Sequence, residues 1–221
     1  PEFQFTLLME LADSRWRHGW FMKALESWKA AWEIGKTRLD PQDAMHGQMA
    51  LNCLLDAYAK LGHKEELRSL LSSARNTTLC AAAMETFRKA ETTLWFLDNQ
   101  ADQNIFCGFT ALNSICVPMG MRPAFPDVHD EEEKKVFIAN GLSVAELNAH
   151  SHEAEGKAIA VKKKDNAPVP VPSVIHWNFN HYSAITKEEN GKYYVEDTNL
   201  KFFGWIEKRV IEQQASGVFV L

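Results

Sequence analysis

The chain has 221 residues, 46% of them apolar and 24% charged, with a formal net charge of −5 at pH 7. That composition suits a globular chain with a core of its own and excludes one that is disordered throughout. The mildly acidic balance argues against non-specific nucleic-acid binding, which needs a basic face, and no apolar run of about eighteen residues is present to span a membrane.

Helical spacing fills residues 4 to 98. The first segment sets Leu7, Leu8, Leu11, Ala12 and Arg15-Trp16 on one face. Trp20, Phe21, Ala24, Leu25, Trp28, Ala31 and Trp32 then make a stripe with a 3.6-residue period. Asp40-Pro41 reads as an N-cap and a first helical residue. The helix behind it carries Met45, Met49, Leu51, Leu54, Leu55, Tyr58 and Leu61, and Gly62 ends it. A shorter helix over about 64 to 74 presents Leu67, Leu70 and Leu71, and a fifth over about 80 to 97 presents Ala83, Phe87, Ala90, Leu94 and Leu97. The glycines at 19 and 62 punctuate two similar helix–Gly–helix stretches, a degenerate tetratricopeptide-like cadence. Either a supporting helical bundle or a partner-binding groove follows from it.

From residue 99 the texture is mixed. A helix starts at Cys107. Residues 117 to 135 read as loop, with Pro118, Gly120, Pro123 and Pro126 before the charged run Asp130 to Lys135. Ser143 and Glu146 form a capping box that opens a short helix. Pro168, Pro170 and Pro172 hold an extended lead-in to strands over 173–177, 182–187, 192–196, 202–205 and 217–221, with Asn190-Gly191 as a hairpin turn. Helices first and antiparallel strands afterwards give an α+β chain with two domains, 4–98 and 99–221.

Three features of the second half bear chemistry. Cys107 sits in the first turn of its helix, where free backbone N–H groups and the helix dipole favour thiolate over thiol. A buried structural cysteine is the bland alternative. Gly108 leaves room for a backbone or a substrate carbonyl to approach. His181 opens a strand, and Asp197 ends the partner strand of the Asn190-Gly191 hairpin, in the same region. Nucleophile, base and orienting carboxylate in the order Cys, His, Asp make a triad of the papain-like kind. The four cysteines, Cys53, Cys80, Cys107 and Cys116, include no C-x-x-C pair, and His129, His150 and His152 have no ligand quartet around them. Neither a disulfide scaffold nor a metal site is expected, and no cofactor is implied.

Cys107-Gly108, the segment Val174-Ile175-His176-Trp177-x3-His181-Tyr182 and Tyr194-x-x-Asp197 resemble the double-glycine leader peptidases, the bacteriocin-processing branch of papain-like cysteine peptidases. Ala215-Ser216-Gly217-Val218-Phe219-Val220 is similar to the closing strand of the peptidase-like domain found near helical repeats in bacterial Rhs/YD-repeat proteins. The resemblance covers about residues 100 to 221. It implies a papain-like domain whose Cys-bearing helix packs on an antiparallel sheet, behind a tetratricopeptide-like helical bundle. It assigns Cys107 as nucleophile, His181 as general base and then acid, Asp197 as its orienter and His176 as a structural neighbour. The family's oxyanion Gln stands six residues before the cysteine. Ala101 holds that position here, so Gln103, or Gln100, becomes the candidate donor if the loop is shifted. Thr198 stands where Pro usually follows the Asp.

The implied activity is hydrolysis of a peptide bond in a polypeptide substrate. The resemblance points to the parent chain itself, by autoprocessing, or to a co-produced substrate, in the bacterial cytoplasm before any export or delivery of the parent. Two other readings stand beside it. A degenerate peptidase fold would bind a peptide or dock a toxin module, and a related Cys-His amidase or transglutaminase would act on another amide.

Overall fold

The structure, a computed structural model, describes residues 2–36, 41–99, 107–121, 143–151 and 158–221. The chain divides into two compact units, Pro1–Gln100 and Ala101–Leu221.

The first unit holds five helices: α1 (Glu2–Arg17), α2 (Phe21–Gly35), α3 (Pro41–Leu61), α4 (Lys64–Ala74) and α5 (Ala81–Asn99). The apolar stripe of α2 is buried as its spacing predicts, from Phe21 to Trp32. Gly19 and Gly62 do the same job in α1 and α3. Each has a positive φ, 79° and 68°. The next amide reaches back across the helix end, Trp20 N to Arg15 O at 2.8 Å and His63 N to Tyr58 O at 3.0 Å. These are Schellman ends, which satisfy carbonyls the helix leaves open. The helices α2 and α3 touch at two glycines. A Cβ built on Gly35 would stand 2.2 Å from Gly47 Cα, so this crossing tolerates no side chain.

Two details of the helical faces differ from their spacing. Leu7 and Leu11 are exposed, while Phe5 and Ala12 are buried. Among the described helices α1 packs chiefly on α2, and a narrower stripe than its leucines offer is enough for that contact. Met45 and Met49 are also exposed, because α3 meets α2 at Gly47, on a face these methionines do not share. Asp40, the expected cap, lies outside the described residues.

The second unit is α+β. After α6 (Cys107–Cys116), a short 3-10 turn (Val117–Met119) and α7 (Val144–Ser151) come β1 (Ala160–Lys162), β2 (Ser173–Trp177), β3 (His181–Glu189), β4 (Lys192–Asp197) and β5 (Phe202–Glu207). Then α8 (Lys208–Gln214) and β6 (Ala215–Val220) close the chain. The strands form one antiparallel sheet in the order β1-β6-β2-β3-β4-β5. The turn between β3 and β4 has Asn190 and Gly191 at positive φ, 52° and 75°. A two-residue turn of that hand matches strand twist. The expected capping box is present. Ser143 N donates to Glu146 Oε2 at 2.7 Å, and Glu146 N donates to Ser143 Oγ at 3.2 Å. Sequence spacing missed β1 and α8, one too short and the other too charged to show a clear period. The expected loop over 122–135, with its charged run, lies outside the described residues.

The core of this unit joins helix to sheet. Phe109, Ala111, Leu112 and Ile115 of α6 pack with Leu147 of α7 and with Val174, Tyr182, Ala184 and Val220 of the sheet. That packing fixes where the first residue of α6 stands.

Candidate functional site

Cys107 is the first residue of α6, and His181 is the first residue of β3. The helix lies on Tyr182 and Ala184 of that strand, and Cys107 stands close enough to His181 for its charge to act on the imidazole. His181 turns its other side to β4, where Nε2 donates to Asp197 Oδ2 at 2.6 Å. With Nε2 so engaged, Nδ1 is the nitrogen left for the sulfur. Cys107 is half-buried, whereas His181 and Asp197 are almost wholly buried, at 1% and 3% exposure. The three expected triad residues therefore lie together, His181 hydrogen-bonded to Asp197 and electrostatically linked to Cys107.

Asp197 accepts two further donors. Ser183 Oγ donates to Oδ2 at 2.6 Å, and Leu200 N donates to Oδ1 at 2.8 Å. The second bond closes a local turn after β4, which Thr198 accommodates in place of proline. Ser183 in turn accepts from Trp177 Nε1 at 2.8 Å. The ring of Phe179 lies nearly parallel to that of His181, centroids 6.1 Å apart, and stacks on Trp177 from its other partner contact at 5.8 Å. Sequence reasoning missed Ser183, Phe179 and the Leu200 amide, and it named Trp177 only as part of the resemblance motif, without a role. The available signal was positional, since Ser183 lies two residues beyond His181 and so shares its face of the strand.

Burial pulls His181 toward its neutral form, but the charges of Asp197 and Cys107, with the bond to Asp197, outweigh it and raise the pKa. Burial pushes Asp197 up, and the His181 charge with the bonds from His181, Leu200 and Ser183 brings the net below the usual carboxylate range. The arrangement favours an imidazolium held against the Asp197 carboxylate.

His176 has a separate partner. Its Nδ1 meets Ser216 Oγ at 3.0 Å, and its ring lies 4.8 Å from that of Tyr182. Burial, then the charge of His181, lowers its pKa. Ser216 reaches it because β6 bulges opposite β2 between Ile175 and Trp177, next to Gly217 at φ 81°. Gly108 is filled differently from the expectation. A Cβ there would meet Leu147 Cδ1 at 3.2 Å and Tyr182 Cδ2 at 3.5 Å, so core side chains, and not a backbone or ligand, take the space. Gln100, Ala101 and Gln103 lie outside the described residues, as do His129 and His152. Among the described residues no group of three His, Cys, Asp or Glu could hold a metal ion, and no helix is long and apolar enough to cross a membrane. All four cysteines are free thiols.

No protein-family model matches the sequence, and no curated protein does. Among solved structures, a double glycine motif protease from an AMS/PCAT transporter, crystallised in complex with the leader peptide, is similar to this chain. The match has a TM-score of 0.40 and 18% identity, and it covers 52% of this chain and 81% of that one.

Proposed function

We propose that residues 99–221 form a papain-like cysteine peptidase domain acting on a polypeptide. The observation that supports this most is the buried His181–Asp197 hydrogen bond at 2.6 Å with Cys107, at the start of α6, beside the imidazole. A nucleophile, a base and an orienter for the base are the parts that acyl transfer by a thiol requires.

In the proposed reaction the Cys107 thiolate attacks the scissile carbonyl carbon. The carbonyl oxygen takes the electron pair and is met by the backbone N–H of Cys107, with Gln103 as the candidate second donor. The tetrahedral intermediate collapses, the C–N bond breaks, and the His181 Nδ1 proton goes to the leaving amine. Water then gives a proton to Nδ1 as its oxygen attacks the thioester, and the acid product leaves Cys107. Asp197 stays ionised throughout and holds the ring. Cleavage of the parent chain itself or of a co-produced polypeptide is the substrate class this reading carries.

The experiment is peptide hydrolysis against a small library of unstructured peptides, with Cys107→Ala as the blank. Turnover that vanishes in Cys107→Ala supports the peptidase, and Gln103→Ala should then lower kcat/KM by roughly 100-fold or more. Peptide binding without turnover in either protein favours the degenerate, peptide-docking fold.

A further inference from the structure

A buried relay of donors stands behind the Cys107–His181–Asp197 chain, and its direction is dictated by chemistry. Trp177, Ser183, His181 and Asp197 are all buried, the first two completely. An indole N–H can only donate. Trp177 Nε1 gives its proton to Ser183 Oγ at 2.8 Å. The single hydroxyl proton of Ser183 is thereby turned toward its other neighbour, Asp197 Oδ2, at 2.6 Å. Asp197 accepts there, and it accepts from Leu200 N on Oδ1. The remaining lone pair of Oδ2 lies toward His181 Nε2, again at 2.6 Å. With both neighbours donating, the carboxyl has no acceptor to which a proton of its own could point.

We propose that Ser183 is a positioning residue of this site. Its hydroxyl, oriented by Trp177, holds Asp197 as an acceptor toward His181 and so keeps Nδ1 aimed at Cys107. A serine that merely satisfied a buried indole would have no reason to bond the same carboxylate oxygen as the histidine. Its place supports the same reading. Ser183 lies two residues from His181 on β3, and β4 is shifted in register so that Asp197 meets both. The inference rests on the peptidase reading for its consequence, but its geometry does not depend on activity.

The test uses the 221-residue chain in four forms: unaltered, Ser183→Ala, Ser183→Cys and Trp177→Phe. Circular dichroism checks folding. Two quantities are read against pH. One is the ¹³C carboxyl signal of Asp197, assigned by its absence in Asp197→Asn, and the other is the alkylation rate of Cys107 by iodoacetamide. The groups that face the carboxyl are His181 and Ser183 of β3 and the Leu200 amide, with Cys107 and His176 behind His181, so both histidines are followed in the same spectra. In Ser183→Ala the Asp197 midpoint should rise by roughly one pH unit, the size of one hydrogen bond to a charge. Cys107 alkylation near pH 6 should fall by roughly tenfold. Ser183→Cys, similar in shape but a weak donor, should move both the same way and decides the matter if the alanine variant does not fold. Trp177→Phe should produce a smaller shift, because the hydroxyl remains but loses its orientation. A folded Ser183→Ala or Ser183→Cys chain whose Asp197 midpoint and Cys107 profile match the unaltered protein overturns the proposal. Should Cys107 prove indifferent to His181→Ala, the peptidase reading fails, and the Asp197 titration still decides the role of Ser183.

Discussion

Asp197 lies across from Ser183, not from Ala184, because β3 carries one more residue than β4 between Ile185 and Lys187. Counting back from the Asn190-Gly191 turn, Lys187 pairs with Tyr194. An unbroken ladder would continue Ile185 with Glu196 and Ala184 with Asp197. The observed pairs are instead Ile185 with Val195 and Ala184 with Glu196. Side chains alternate along a strand, so this one-residue slip moves Asp197 onto the face of His181 and Ser183. Thr186 is the extra residue, and its Oγ1 donates to Glu196 Oε1 at 2.8 Å.

Deleting Thr186 should flatten the bulge and leave Ile185 with Val195, Ala184 with Glu196 and Asp197 opposite Ser183 in one continuous ladder. A deletion variant that keeps its sheet by circular dichroism should therefore retain the His181-dependent part of Cys107 alkylation, whereas Asp197→Ala should lose it. Loss of that part in the deletion variant would mean that the bulge itself, and not the pairing beyond it, orients the carboxylate.

Asp197→Ala should also cost stability, because it leaves a buried histidine without its partner. Breaking one side of such a pair costs about 3–5 kcal/mol, readable as a lower urea midpoint near neutral pH. The pH dependence has a definite sign. His181 is raised in the folded state, so its contribution is complete below the ordinary histidine pKa and fades as pH climbs through the raised value. Asp197 is lowered, so its contribution is complete above the ordinary aspartate pKa and fades as pH falls through the depressed value. Both act together between roughly pH 4 and 6.5. The urea midpoint of the unaltered chain should peak in that window, and the difference from Asp197→Ala should shrink on either side of it.

Gly35→Ala tests the helical unit without touching the site. The new methyl would collide with the backbone of Gly47, which cannot swing aside as a side-chain end can. The helices α2 and α3 must part, at a cost of about 3 kcal/mol. Ala at Gly108 meets only the ends of Leu147 and the Tyr182 ring, and alanine suits a helix interior better than glycine by about 1 kcal/mol, so its net effect should be smaller. Equal urea midpoints for the two variants would contradict this account of the α2–α3 crossing.

Much of the fold was legible where a period or a special residue marks it. The α2 stripe, the ends at Gly19 and Gly62, the Ser143–Glu146 box and the Asn190-Gly191 turn all act locally, within a few residues. What stayed hidden depends on neighbours distant in sequence. Leu7 and Met45 are apolar, and only the width of the packed face leaves them outside. The positions of Cys107, His181 and Asp197 were readable as a set, but the register that joins the last two was not. It turns on one unpaired residue at Thr186, which has no composition signal. The roles of Trp177 and Ser183 were hidden for the same reason, since a buried relay appears only when two strands are placed side by side.

The most direct test of the central claim is the pH dependence of alkylation at all four cysteines, followed by peptide mass spectrometry in the unaltered chain and in His181→Ala. Burial and the nearby Asp13 and Asp56 push Cys53 up to about 11, and burial raises Cys116, so both serve as slow references. Cys107 should react fastest near pH 6 and lose that rate when His181 is removed, while the other three are unchanged. A Cys107 rate that is no faster than that of the references, or that survives His181→Ala, would contradict a thiolate activated by the His181–Asp197 pair.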